Sequence, residues 1–229
     1  MLATAIIAAS GQGRRMASPV KKQYLVLNGI PVLARTIRVF LEHGGFARIV
    51  VVVPTGETGQ ASKILKPHLS LDKLILVEGG RRRQDSVYNG LRAIEHAAGE
   101  LICIHDGARP LLSLSLLNKV LDAAARWGAA VPVIPVTDTL KEVTPEGLIK
   151  RTVSREPLRR VQTPQVFRQE LIREAYTKAA SLGIEATDDA YLVELLGYDI
   201  MTVPGEYGNI KITSPEDLLT ATALLKGGA

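Results

Sequence analysis

"ATAIIAASGQGRRM" (residues 3–16) sets a run of apolar and small residues against a turn that holds two glycines and then two adjacent arginines. Thr4–Ala9 has the length and near-continuous apolarity of a strand covered on both faces. A strand that ends in a glycine turn lets its backbone come close to a ligand. Arg14 and Arg15 mark that ligand as an anion. Lys21 and Lys22 follow Pro19 and extend the cationic loop, a combination able to wrap a polyphosphate with backbone N–H groups and side chains together. The turn departs from two common phosphate fingerprints. Met16 stands where the dinucleotide motif places its third glycine, and no G-K-[ST] follows.

Outward from this turn, short apolar runs alternate with helical periodicity. Strands are predicted at Thr4–Ala9, Ile49–Pro54, Leu74–Glu78, Leu101–His105, Ala129–Pro135 and Ile200–Val203, nearly all carrying β-branched residues. Val32, Leu33, Ile37, Phe40 and Leu41 form one helical stripe, and Val87, Leu91, Ile94 and Ala98 form another. Further helices are predicted at Leu114–Trp127, Gln169–Ala180, Asp189–Leu196 and Pro215–Leu225, the last with Ser214 as N-cap and proline in its first turn. The βαβα rhythm implies an α/β fold with a mostly parallel sheet, helices on both faces, and ligands at the carboxyl ends of its strands. Residues 136–155, "VTDTLKEVTPEGLIKRTVSR", break the rhythm: two alternating arms flank the turn Thr144–Gly147. They read as a projecting β-hairpin, and because a lone two-stranded ribbon is marginal in water, as an arm used in dimerisation.

The 229 residues suit one domain over 1–229, with no repeat or linker to divide it. No apolar run approaches the length of a membrane span, and the single cysteine, Cys103, points to a reducing cytoplasm. Net charge is +5 and the pI is near 9.4, which fits an anionic partner of either nucleic-acid or small-molecule class. Aromatic residues are only 4% of the chain, and the longest basic run considered is the trio Arg81–Arg83, so a phosphorylated small molecule is favoured over nucleic acid. His43, His68, His96 and His105 are scattered, without zinc spacing, and each reads as a solvated or capping histidine.

"KKQYLVLNGIPVLARTI", "GGRRRQDSVYNGL", "HDGARP", "DTLK", "QTPQVF", "ATDDAYLVELLG" and "NIKITSPEDL" occur in order along nearly the whole chain. Together with the opening turn they resemble the motifs of the 2-C-methyl-D-erythritol 4-phosphate cytidylyltransferase family of the non-mevalonate isoprenoid pathway, a group of Rossmann-like nucleotidyltransferases. The resemblance implies that a phosphorylated polyol attacks the α-phosphorus of CTP and releases pyrophosphate. It matches Arg15, Lys22 and Lys211 to the catalytic cations. Ala8, Ala9, Ser10, Gly11, Gly13, Gly80, Arg81, Ser86, Asp106 and Gly107 match nucleotide-binding positions, with Gly80, Arg81 and Ser86 reading cytosine. Asp106 also matches the position beside Mg²⁺ and the acceptor. Arg109, Thr139, Arg155, Thr163 and Thr187 match acceptor-binding positions, and Thr139 and Arg155 lie on the hairpin that in this family reaches into the neighbouring subunit of a homodimer.

Taken alone, several of these residues have plainer readings: Asp106 as a turn cap, Lys211 as a solvated strand-end lysine, Arg81–Arg83 as a charged helix entrance. Where the family usually has proline before the loop lysine, this chain has Lys21, so either lysine is a candidate for the triphosphate. Two other functions stay open at this level, a cytidylyltransferase for another alditol phosphate such as ribitol 5-phosphate and a noncatalytic nucleotide-binding module.

Overall fold

The computed structural model describes residues 3–11, 13, 20–95 and 100–227. β1 (Ala3–Ala8) lies inside the main sheet, paired in parallel with β4 (Phe46–Val53) on one side and β6 (Leu101–Asp106) on the other. β5 (Leu74–Glu78) extends the sheet beyond β4, so the first four long strands stand in the order β5-β4-β1-β6. Beyond β6 comes β11 (Gln165–Arg168), antiparallel to both β6 and β7 (Ala129–Pro135). β10 (Arg159–Val161) and β12 (Met201–Pro204) complete the sheet against β7, the former antiparallel and the latter parallel. The predicted mostly parallel sheet is therefore present, with an antiparallel insertion made of two short strands that alternation did not reveal. Two further two-residue strands, β2 (Val26–Leu27) and β3 (Ile30–Pro31), pair only with each other.

The side chains of β1 alternate between the two faces, which explains its unbroken apolarity. Ala5 and Ile7 join a core with α1 (Val32–His43), α2 (Thr58–Leu65) and α4 (Leu114–Trp127). Ile6 joins the opposite core with α3 (Arg83–Arg92), α5 (Gln169–Leu182) and α6 (Asp189–Glu194). A sheet covered on both faces has no place for polar alternation. Phe40 and Phe46, edge to face at 5.2 Å, anchor the first core, and Phe40→Ala is expected to cost about 3–5 kcal/mol from lost burial and the cavity left behind. α7 (Pro215–Lys226) starts as expected: Ser214 Oγ accepts from Asp217 N–H, and the Asp217 carboxylate accepts from Ser214 N–H at 2.9 Å. Ile94 of the second stripe is buried, but Ala98 and His96 lie outside the described residues.

The hairpin is where the alternating arms placed it. β8 (Leu140–Val143) and β9 (Ile149–Val153) pair antiparallel around the Thr144–Gly147 turn, and form a sheet of their own. Among the described residues no helix is long and apolar enough to cross a membrane.

Candidate active site

Chain direction makes a cleft where β1 and β6 end side by side, because β1 continues to one half of the sheet and β6 to the other; ligands bind at such a switch point. A cavity of about 410 Å³ opens there. Ala8, Ala9, Ser10 and Gly11 line it from the β1 turn, Gly80 and Arg81 from the loop before α3, and Asp106 from the end of β6; Lys22 and Lys211 complete the predicted set that meets at the cavity. Gly107 is buried just behind, its N–H donating to Ala8 O at 2.9 Å, and an added Cβ there would meet the Ala9 Cβ at 2.8 Å. Gly13 lies next to the Lys22 stem. Arg15 lies outside the described residues.

Asp106 is the electrostatic pivot. Its side chain is 8% exposed, with Oδ1 facing Arg83 Nε at 3.2 Å and Oδ2 facing Lys211 Nζ at 2.8 Å and Arg109 Nε at 3.5 Å. Burial alone would raise its pKa, but the three cations outweigh burial and hold the carboxyl far below the ordinary carboxylate range. Arg83 is also shared with the fully buried Asp189, whose Oδ2 lies 2.7 Å from Nη2, while Tyr176 Oη donates to Asp189 Oδ1 at 2.6 Å. Burial works against the Arg83 charge, and the Asp189 and Asp106 carboxylates reverse that and raise its pKa. Three cations against two carboxylates leave positive charge in excess beside the cavity, which Lys22 also lines. An anion suits such a site; a neutral ligand gains little from it.

Beneath Asp106 runs a chain of hydrogen bonds with one consistent direction. Asp106 N–H donates to Thr163 Oγ1 at 3.1 Å, which leaves the threonine proton for His105 Nδ1 at 2.9 Å and the Nε2 proton for Arg109 O at 3.1 Å. Burial pushes the His105 pKa down to about 4, so the ring is neutral. His105 is thus a buried strut, where the sequence reading expected a solvated or capping group. Thr163 is likewise buried, its hydroxyl occupied in supporting the Asp106 backbone.

The loop before α3 is closed by Ser86. Its Oγ accepts from Gly80 N–H at 3.0 Å and from Ser10 Oγ at 2.7 Å, and donates to Arg82 O at 2.9 Å. One buried hydroxyl thereby ties the β1 turn to the 79–82 loop. Both glycines of that loop are needed for close approach: a Cβ on Gly79 would meet Ser10 Cβ at 2.4 Å, and one on Gly80 would meet Asp85 Cβ at 2.4 Å.

The two candidate lysines diverge. Lys21 pairs with Glu57, which also accepts from Tyr24 Oη at 3.3 Å, whereas Lys22 lines the cavity. Arg109 borders a second cavity of about 350 Å³ that meets the first at Lys211. Thr139, Arg155 and Thr187 are exposed and line neither cavity; Arg155 donates to Thr137 O, at the base of the arm. Arg83, Arg82, Thr55, Gln23 and Ala108 line the 410 Å³ cavity without having been singled out from sequence. Arg83 stood in the quoted arginine trio, but its distinction comes from Asp189, distant in the chain. Gln23 is 1% exposed, and neither end of its amide has a partner among the described residues.

Similarity to known proteins agrees with this geometry. The family model of 2-C-methyl-D-erythritol 4-phosphate cytidylyltransferase (IspD) matches residues 3–227. A protein of that name from Pelotomaculum thermopropionicum is 46% identical over 223 residues, 97% of this chain and 93% of the relative. One from Geobacillus thermodenitrificans is 44% identical over 222 residues, 96% of each chain. Among solved structures, the 2-C-methyl-D-erythritol 4-phosphate cytidylyltransferase of Thermus thermophilus superposes with a TM-score of 0.80 at 38% identity, covering 99% of this chain and 100% of the other. The 4-diphosphocytidyl-2C-methyl-D-erythritol synthase of Anaerococcus prevotii gives 0.83 at 30% identity, covering 98% and 96%.

Proposed function

Because the chain belongs to the 2-C-methyl-D-erythritol 4-phosphate cytidylyltransferase family and so transfers CMP from CTP to that acceptor, we propose that the cavity between β1 and β6 is where it does so. The observation that carries this reading is the excess of positive charge around Asp106 at the sheet's switch point. An oxygen of the acceptor phosphate attacks the α-phosphorus of CTP, the bond to the β-phosphate oxygen breaks, and pyrophosphate leaves. Such a transfer asks the protein for alignment and charge neutralisation more than for covalent help. Lys22 and Lys211 face the phosphate oxygens in this reading, and Arg15 joins them on sequence grounds. Ala8 to Gly11, Gly13 and Gly107 shape the phosphate cradle. Gly80 and Arg81 present the base-reading edge, with Ser86 holding that edge in place.

The donor set also fits a divalent cation, which we take to be Mg²⁺. Asp106 is the one carboxylate lining the cavity among the described residues, and Mg²⁺ takes few carboxylates when phosphate oxygens and water complete its shell. Bound there, it would offset charge on the triphosphate. Asp106 is the residue that would hold it.

On the acceptor side stand Arg109, Thr187, and Thr163 through its support of Asp106, with Thr139 and Arg155 supplied by the arm of a second subunit. The arm favours this because Val143, Leu148 and Ile149 are 56%, 69% and 67% exposed, apolar area that pairing would bury. We read residues 1–229 as one domain working in the cytoplasm as a homodimer with exchanged arms.

Subunit mixing tests the shared site. An Arg155→Ala homodimer and a Lys211→Ala homodimer each carry two damaged sites, but their heterodimer carries one intact site. Pyrophosphate release with CTP and the acceptor should return toward half the wild-type rate per heterodimer. Heterodimers confirmed by mass that stay inactive would show that Arg155 acts within its own subunit.

A further inference from the structure

The second cavity has a cation that no family motif explains. Arg160 lies on β10, opposite Ile134 of β7, and lines the 350 Å³ space together with Arg109, Lys211, Tyr207 and Thr213. Its neighbour Arg159 directs its guanidinium to the carbonyls of Glu156 and Leu158. Arg160 forms no ion pair among the described residues. Asp217, the one carboxylate lining this cavity among the described residues, already accepts from Thr213 N–H at 2.8 Å, Thr213 Oγ1 at 2.7 Å and Ser214 N–H at 2.9 Å. Arg109 and Lys211 are shared with Asp106, so Arg160 is the charge left over. It is close enough to Arg109 to be felt there: burial depresses the Arg109 pKa, Asp106 opposes that, and the Arg160 charge adds to the depression. Asn209, which also lines this space, keeps its Oδ1 buried without a partner among the described residues, an acceptor in a wall otherwise rich in donors.

Lys211 borders both cavities. An acceptor phosphate that attacks the α-phosphorus beside Lys211 must therefore lie at the junction, with the rest of the acceptor on the side away from the nucleotide. We infer that Arg160 is a further acceptor-binding residue of this chain, its guanidinium joining Arg109 and Lys211 around the non-attacking oxygens of the acceptor phosphate. This rests on the acceptor lying on the Arg109 side of Asp106, as proposed above. The inferred contribution is binding: a fork of N–H donors offsets the repulsion between a phosphate monoester and the triphosphate next to it. A lysine at 160 would keep the charge but lose the fork.

Steady-state kinetics of Arg160→Gln and Arg160→Lys, with each substrate varied in turn, test this, because an exposed β10 side chain can be exchanged without opening the core. Arg160→Gln should raise KM for the acceptor roughly tenfold, leave KM for CTP within about twofold, and Arg160→Lys should fall between it and wild type. Titration of the acceptor onto protein saturated with a non-hydrolysable CTP analogue should show the same loss in Kd. An acceptor KM and Kd unchanged in Arg160→Gln overturn the inference, and so does a rise in both KM values together with a lowered Tm, the mark of a structural role. Arg109→Gln, or Thr187→Ala if the former does not fold, is measured beside it. If that control weakens acceptor binding and Arg160→Gln does not, Arg160 alone is wrongly assigned. If neither does, the acceptor subsite itself is misplaced.

Discussion

The arm and the cleft use the same ion pairs to opposite ends. On the arm, Glu142 takes Lys150 at 2.8 Å and Arg151 at 2.5 Å, the two basic side chains open to water and Glu142 33% exposed. In the cleft, Asp106 and Asp189 are 8% and 0% exposed and share Arg83. Exposed pairs are screened and lose side-chain entropy on forming, so they stabilise little. Buried pairs cannot be broken singly without leaving a charge stranded. The arm's charges sit beside exposed apolar side chains and keep that ribbon compatible with water, and the cleft's charges fix a positive potential that is already assembled before any anion arrives.

Breaking the buried half should have the largest effect. Asp189→Asn removes one of the two carboxylates that balance Arg83 and leaves one acceptor oxygen where Arg83 and Tyr176 Oη each have their own; urea unfolding should show a loss of roughly 3–5 kcal/mol. A loss below about 1 kcal/mol, the range of a surface pair, would erase the distinction between the regions. Next comes Lys211→Ala, which removes a cation that lines the cavity beside Asp106: if the cavity is the reaction site proposed above, kcat should fall about 10²–10³-fold with a smaller change in KM for CTP, read from pyrophosphate release. A change confined to KM would mean that Lys211 binds ground and transition states alike.

The third prediction concerns pH. His105 is held neutral with a pKa of about 4 against an ordinary 6.5. Between those values the unfolded chain takes up a proton that the folded chain refuses, so stability is full above about pH 6.5 and falls as pH drops toward 4, by roughly 3 kcal/mol in all. The Asp106 contribution lies in a lower window, below the ordinary Asp pKa of 3.8. His105→Gln should flatten the slope between pH 6.5 and 4 in denaturation midpoints; an unchanged slope would assign it to other groups. The smallest effect is expected on the arm, where Glu142→Gln should leave the unfolding midpoint indistinguishable from wild type. A clear shift there would mean that the arm's exposed pairs are held more rigidly than surface pairs usually are.

Much of the architecture was legible because burial imposes periodicity. β5, β7 and α4 have the predicted boundaries, and the other predicted strands and helices differ from theirs chiefly by a residue or a few at their ends. β10 and β11 were missed because they have three and four residues, and their pairing with β7 and β6 is decided by distant chain. α2 was missed too: of its residues only Ala61 and Leu65 are buried, too few to form a stripe. At the site, the glycine turns and Asp106 stood out by lying at strand ends and helix entrances, whereas Lys211, in the loop between β12 and α7, was singled out only by the motif resemblance. Arg83 did not stand out, since nothing near it in the chain distinguishes it from Arg81 and Arg82.

By itself the sequence determined the βαβα order, the hairpin, the glycine turn after β1 and the ordered motifs, because each depends on neighbours a few residues apart. Tertiary structure decided what those residues do to one another. It separated Lys21, paired with Glu57, from Lys22, which faces the cavity. It turned Thr163 and His105 into supports beneath Asp106, and joined Arg83 to Asp189 across more than a hundred residues. Coulombic and hydrogen-bond energies depend on separation in space and on burial, and neither quantity is written in the order of the chain.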